Sequence, residues 1–495
     1  MSLSFQQLAE INLPIYPNSL ADAGDATFFL AWTEGGKRLG LLAPADSATA
    51  AGFDGERSSR GDKVLLICPL THANAVALRN RFSWLQPRPL GLQLSAGCGD
   101  RLGLATPGHA RAAMAVPGIS MIFAQQSVRE LARTGRTAKE VMDAATWGVF
   151  QEGWRLGFGA DADHIKTPED IDTYVAAGYT FFTVDPGAFV DAAAEADDGG
   201  TLRAKYAALP WPDLATTARD LRAAYLDKRL EVEDRVFSLD EETFLRAAVK
   251  YGRAVAQVAT MYRHLAARCS TCDFELEVSV DETESPTSHA EHLFIARELR
   301  RLGVRWVSLA PRYVGRFEKG VDYIGDLAAF EADFAGHAAI ARALGPYKLS
   351  LHTGSDKFSI YGIAARATRG LLHLKTAGTS YLEALRVVAG LDPGLFREIL
   401  AFALARYETD RVSYHVSADL ARVPPFHHVA DRDLPGLLDD FDVRQVLHVA
   451  FGSVLTPVNG FKARLLAVLA EHEEAYYAAL EQHFVRHLLP LAGRG

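Results

Sequence analysis

From Pro89 onward the chain alternates short apolar runs with longer stretches of helical periodicity. Runs that read as strands are Leu90–Leu94, Arg155–Ala160, Tyr179–Val184, Phe274–Val280, Arg305–Ala310, Tyr347–His352, Leu371–Lys375 and Arg411–Val416. Helical patterns fill the gaps at Gln126–Gln151, Thr243–Arg268, Ser288–Leu302, Leu327–Ala343, Tyr381–Val388 and Pro393–Glu408, followed by Asp439–Leu455 and Phe461–Leu489. Short strands separated by helices imply parallel pairing with crossover helices. A count of eight strands favours a closed (β/α)8 TIM-type barrel over an open doubly wound sheet.

The first 84 residues differ. Thr27–Thr33 and Arg38–Ala43 read as strands joined across Gly35 and Gly36, Val64–Cys68 as a third, and Asn74–Arg81 as a helix. The expected organisation is a small N-terminal α+β flank over 1–84 and a barrel domain over 85–495. Between Val184 and Phe274 the chain is too long for a plain crossover, so a helical insertion is expected around 187–270, as a lid or an oligomer contact.

Composition narrows the partners. The chain has 495 residues, of which 49% are hydrophobic and 23% charged, ample for a large core. Its formal net charge is −9 and it contains no Lys/Arg block, which argues against a nucleic-acid partner. Met1 to Pro14 shows no basic region followed by an apolar core, and no apolar run is long enough to span a bilayer, so a cytoplasmic location with no membrane partner is expected. Cysteines at 68, 98, 269 and 272 are too scattered for a disulfide framework, and Cys269 and Cys272 are read as incidental thiols.

In a parallel barrel the chemistry gathers where strands end and loops begin. His164 and His352 occupy equivalent places at two such ends, followed by polar residues, and His415 stands near a third; ligands from separate strands suit a metal ion. Along Phe274–Val280 the period of two puts Glu275, Glu277 and Ser279 on one face, making Glu277 a candidate acid or base. Arg312, Arg316, Lys319, Lys357 and Lys375 gather at the ends of later strands and suit an anionic ligand. Gly97, Gly99 and Gly103 miss the spacing of a dinucleotide loop.

The run Lys348-Leu-Ser-Leu-His-Thr-Gly-Ser-Asp-Lys-Phe-Ser-Ile-Tyr resembles the tagaturonate/fructuronate epimerase family of metal-dependent hexuronate epimerases. So do Gly97-Cys-Gly-Asp-Arg-Leu-Gly-Leu, Gly157-Phe-Gly-Ala-Asp-Ala-Asp-His-Ile-Lys, Val278-Ser-Val-Asp-Glu-Thr and the stretch from Leu309 through Phe317-Glu-Lys-Gly-Val-Asp-Tyr. The resemblance implies an isomerase interconverting D-tagaturonate and D-fructuronate, with a divalent cation such as Zn, Mn, Ni or Co. His164 and His352 would be metal ligands, with Glu318 preferred as the third over Asp322 and His415. Asp163 would be the proton acceptor, Glu277 the proton donor, and Asp100, Arg101, Arg312 and Lys357 would contact the substrate. The epimerised carbon lies β to the ketone, where its C–H is not acidified, so retro-aldol cleavage and re-addition is the expected route. A metal-dependent sugar-acid isomerase or aldolase on the same barrel, or a non-catalytic sugar-acid binding protein, remain alternatives. A homo-oligomer is compatible with all of them.

Overall fold

The computed structural model describes residues 11–233 and 235–493. Most of the N-terminal segment in which no leader pattern is seen therefore lies outside the described residues. At the N-terminal end β1 (Ala21–Ala23), β2 (Ala26–Thr33), β3 (Gly36–Pro44), β4 (Glu56–Arg60) and β5 (Lys63–Cys68) form one antiparallel sheet in the order β1-β2-β3-β5-β4. The expected Gly35-Gly36 turn pairs Thr33 with Gly36, and the helix after β5 runs His72–Arg81.

Eight parallel strands then close a barrel, as expected: β6 (Ser95–Cys98), β7 (Ser120–Ser127), β8 (Gly159–Ile165), β9 (Phe181–Val184), then, beyond the β10 (Arg229–Val232) and β11 (Arg235–Ser238) hairpin, β12 (Glu275–Ser279), β13 (Ser308–Ala310), β14 (Lys348–Leu351) and β15 (Leu372–Thr376). Closure comes from β15 pairing with β6, and β9 pairs β12 across the long insertion.

Three strand expectations need correction, the first being Arg155–Ala160: the strand runs Gly159–Ile165, so Asp161, Asp163 and His164 lie within it rather than after it. Leu90–Leu94 leads into the barrel but the paired residues are Ser95–Cys98, where Gly97 leaves room for the Gln125 side chain, whose Oε1 would lie 1.7 Å from a Cβ there. Arg411–Val416 is not a strand; it is a short 3-10 turn and loop with Val412 84% exposed, and no barrel strand tolerates that. The eighth strand is instead β7, and the expected helix from Gln126 breaks into Val128–Thr134 and Ala138–Glu152, capped by Ser127 and Thr137.

The insertion between β9 and β12 holds short helices, the β10–β11 hairpin and the helix Glu241–Arg268, which packs on the helices Pro168–Ala176 and His289–Arg301 as the crossover. Just past it the structure joins Cys269 to Cys272 in a disulfide, so they are not two separate thiols. After β15 the chain carries helices to Leu491, interrupted by the loop and short 3-10 turns between 411 and 439, and Glu473–Leu491 packs against the helix Thr106–Ala115. Among the described residues no helix is long and apolar enough to cross a membrane.

Candidate active site

The barrel interior carries two polar layers. β12 turns Glu275, Glu277 and Ser279 inward, all buried, as their period of two requires. Low in the barrel, Lys348 donates to Ser95, whose hydroxyl also meets His373 Nδ1, and Glu275 accepts the N–H groups of Leu90 and Gly91.

Nearer the mouth, Lys375 at the end of β15 reaches Asp161 Oδ2 at 2.8 Å, Asp163 Oδ1 at 2.7 Å and Glu277 Oε1 at 3.0 Å. Burial alone would drive this lysine toward neutrality, but Asp161, Asp163 and Glu277 outweigh it and hold the ammonium charged. The carboxylates divide. Burial raises Asp161 to about 7 despite Lys375, whereas Asp163 is held well below the carboxylate range because Lys375, His164 and His352 overcome its burial. Glu277 is likewise held low, its burial overcome by Lys375 and by the His352 hydrogen bond, and it accepts from Ser308 Oγ at 2.6 Å.

A one-residue bulge explains how neighbours in sequence share this site. Between Ala162 and Ile165 of β8 the register against β9 shifts, and His164 takes φ 51°. In a regular strand Asp163 and His164 would point to opposite faces; here both belong to one group with His352, their candidate ligand atoms within 4.8 Å of one another. The His164 and His352 rings lie 4.3 Å apart between centroids.

Each imidazole is backed by a carboxylate. His352 Nδ1 is 3.2 Å from Glu277 Oε1, and His164 Nδ1 is 3.2 Å from Asp185 Oδ2. A carboxylate on Nδ1 of each ring leaves Nε2 as the nitrogen available to a ligand. His352 Nε2 is buried without a hydrogen bond, although Asp163 Oδ1 lies 3.3 Å away. His164, Asp185 and Glu282 form a second group that shares His164. Burial opposes charge on both rings, yet the surrounding carboxylates, Asp281 and Asp163 foremost, push His352 up to about 10, and Asp163 raises His164. An orphaned imidazole nitrogen, two oriented rings and an excess of ionised carboxylates fit a divalent cation.

Above the rings lies a cavity of about 350 Å³, lined by Asp281, Glu282, Arg312, Arg316, Glu318, Lys319, His352 and the loop Ser413–Ser417 among others. A narrower recess behind it is lined by Arg101, Gln125, Arg129, Asp163, His164 and Lys375. Other expected site residues are placed as follows. Glu318 lines the cavity, but its carboxylate accepts from Ser417 Oγ at 2.6 Å and Gln445 Nε2 at 2.8 Å and it joins neither histidine group. Asp322 accepts from Ser359, and His415 lines the cavity outside both groups. Lys357 is buried, its ammonium donating to the carbonyls of Glu318, Val321 and Ser355. That bonding leaves it no reach toward a ligand, and burial pulls it down to about 7. Asp100 accepts the N–H groups of Leu102, Gly103 and Ala105, a loop-forming role. Arg101 borders the recess, paired with Glu130 and stacked over Phe451, and Arg312 borders the cavity while donating to the Thr283 carbonyl.

Asp161, Asp185, Glu282 and Arg129 complete the site without having been singled out for roles from sequence, and Lys319, one of the cations read as suiting an anionic ligand, lines it. Asp161, Asp185 and Glu282 stood in the polar strand endings, whereas Arg129 follows β7, the strand that went unread.

Three comparisons bear on this arrangement. The family profile UxaE, described as tagaturonate epimerase, matches residues 16–491. A protein of Thermotoga maritima named tagaturonate/fructuronate epimerase is 45% identical over 480 residues, covering 97% of each chain. The native crystal structure of fructuronate-tagaturonate epimerase UxaE from Cohnella laeviribosi is similar with a TM-score of 0.91 and 37% identity, covering 98% of each chain. A glycerol complex of that enzyme matches with a TM-score of 0.90.

Proposed function

The chain belongs to the tagaturonate epimerase family, and from that premise we propose that it interconverts D-tagaturonate and D-fructuronate with a divalent cation held at the barrel mouth. It is an epimerase on the strength of that membership. The observation that carries the metal-dependent reading is the pair of carboxylate-backed imidazoles, with His352 Nε2 left unpartnered beside Asp163. His164 and His352 would hold the metal, and Glu282, which groups with His164 at the cavity wall, is a better third ligand than Glu318.

A cation bound there supplies Lewis acidity toward the keto oxygen and its neighbouring hydroxyl. The protein's own groups supply the rest. Asp163 Oδ1 is held by Lys375, while Oδ2 has no hydrogen bond among the described residues; Asp163 lines the recess, which supports assigning it the removal of the β-hydroxyl proton. The bond between the α and β carbons then breaks, its electron pair passing to the enediolate and leaving an aldehyde at the β carbon. Rotation of the aldehyde and attack of the enediolate on its opposite face re-form the bond, and the alkoxide recovers the proton from Asp163.

Glu277 lines neither the cavity nor the recess, so we assign it the orientation of His352 and Lys375 rather than direct proton donation. Arg129 and Lys319, which border the open space, are better placed than Lys357 to grip the substrate carboxylate and hold both fragments during rotation. The test is to incubate metal-loaded protein with D-tagaturonate in D2O and follow it by NMR. D-fructuronate should form without deuterium on carbon and stop forming after chelation. Deuterium at the epimerised carbon would replace the retro-aldol route by proton abstraction, and turnover unchanged by chelation would remove the metal.

A further inference from the structure

Outside the barrel, where the helix His289–Arg301 packs against the helix Leu327–Leu344, a second group of side chains converges. His289 opens the first helix; Asp333 and His337 lie four residues apart on one face of the second. His289 Nε2 is 3.3 Å from Asp333 Oδ1, and His337 Nε2 is 3.6 Å from Asp333 Oδ2. Nitrogen and oxygen ligands at about 2.0–2.1 Å from a tetrahedral zinc ion stand roughly 3.3 Å apart, and although the two contacts run to different oxygens of Asp333, one candidate atom from each of the three residues lies within 4.8 Å of the others, close enough to draw in around an ion.

The hydrogen bonding points the same way. His337 is fully buried, yet its Nε2 has no hydrogen-bond partner, and neither has Asp333 Oδ2 facing it. The other edge of the ring is fully accounted for: His337 Nδ1 lies 2.9 Å from His292 Nδ1, and His292 Nε2 lies 2.8 Å from the Tyr347 hydroxyl. The order Tyr347 O–H to His292 Nε2 and His292 Nδ1–H to His337 would leave an N–H on His337 Nε2 3.6 Å from Asp333 Oδ2, too far to bond; with the order reversed, His337 Nδ1–H to His292 and His292 Nε2–H to Tyr347, a lone pair remains on His337 Nε2. A buried lone pair facing a carboxylate oxygen is unfavourable unless a cation lies between them.

The backbone is shaped to match. Gly336 lets the His289 ring lie against its helix, since a Cβ there would fall 2.3 Å from His289 Nε2. His289 and Asp333 remain partly exposed, leaving a path for an ion. Arg235 of β11 faces the cluster, but it is partly exposed and has no hydrogen bond among the described residues, so it can turn to solvent. A third His/Asp group, Asp356 with His483 and His487, is different, because Arg444 sits 2.9 Å from Asp356 Oδ2 and Thr379 also donates to that oxygen. There the positive charge is already in place.

We propose that His289, Asp333 and His337 form a second divalent transition-metal site of the zinc type, separate from the barrel mouth, which clasps two outer helices together beneath the β10–β11 hairpin. His289 would exchange its contact with the Asp333 carbonyl for the ion, and water would complete the coordination.

The probe is Zn²⁺ added to the full-length protein after chelator stripping. Crystals soaked in Zn²⁺ should give an anomalous difference peak between these three residues. In solution the wild type should bind one zinc equivalent more than His289→Gln, and His289→Gln should lose the zinc-dependent rise in thermal midpoint. His352→Gln, altered only at the mouth, should retain both, which separates this site from the mouth reading. Gly336→Ala keeps all three ligands but displaces His289, and should weaken zinc binding here by tenfold or more. Absence of the anomalous peak, or zinc stoichiometry and thermal response in His289→Gln and Gly336→Ala equal to wild type, overturns the proposal. If a variant fails to fold, the wild-type crystal decides alone.

Discussion

Two lysines point into the same barrel from neighbouring strands, and their surroundings set them apart. Lys375, near the mouth, touches three carboxylates and stays charged. Lys348, lower down, has Ser95 and the nearby His373 imidazole for company, and burial pulls its pKa down to about 8, with Glu275 and Glu277 opposing only in part. The upper layer is therefore a charge-dense socket that gathers cations, while the lower layer is close to neutral and serves to close the barrel. Burial is nearly equal in the two places, so the difference comes from partners rather than from depth.

Removing each lysine tests that contrast most severely. Lys375→Met should strand three buried carboxylates and destabilise the protein by about 3–5 kcal/mol in chemical denaturation, with activity abolished. A milder loss than that of Lys348→Met would show that the two layers are alike. Next comes His352→Gln, which should lower kcat/KM on the order of 10²–10³-fold or more while the thermal midpoint barely moves. The NMR conversion assay and a melting curve read the two together.

Glu277→Gln removes the carboxylate that orients His352, so metal affinity should fall by about 10–100-fold, with activity regained at higher metal concentration. Loss that excess metal does not restore would instead give Glu277 a part in proton transfer. The smallest effect concerns pH. Since Lys348 has a folded pKa of about 8 against an ordinary value of 10.5, the unfolded chain binds more protons between those limits. Wild-type stability should accordingly rise with pH across that window relative to Lys348→Met, and below pH 8 the difference should be flat. A difference that falls with rising pH would show that the lysine is stabilised in its charged form.

Much of this was legible in the chain because barrel strands obey a strict alternation. Glu275, Glu277 and Ser279 were placed on one face by period alone, and they do point inward. Strand-end histidines were visible for the same reason, since a strand's end is the one place where a parallel barrel leaves polar side chains room. β7 escaped because its Gln-Gln-Ser ending merges into the next helix and resembles a helix start. Arg411–Val416 misled because a loop lying over the mouth also alternates, with Tyr414 and Val416 packed against the core and Ser413, His415 and Ser417 exposed. Glu318 and Lys357 stand in the right loops, but whether a side chain faces a cavity or is consumed by backbone carbonyls and amides depends on contacts between distant segments, such as Gln445 and Val321, that no local pattern carries.

The extra residue in β8 has a consequence for anyone wishing to move this site. A regular barrel strand cannot present an aspartate and the histidine beside it to one pocket, so copying Asp163 and His164 onto another scaffold by side-chain grafting would turn one inward and the other toward the outer helices. What must be transplanted is a kinked stretch of main chain, together with a left-handed residue that most side chains resist, and the identity of the amino acids comes second.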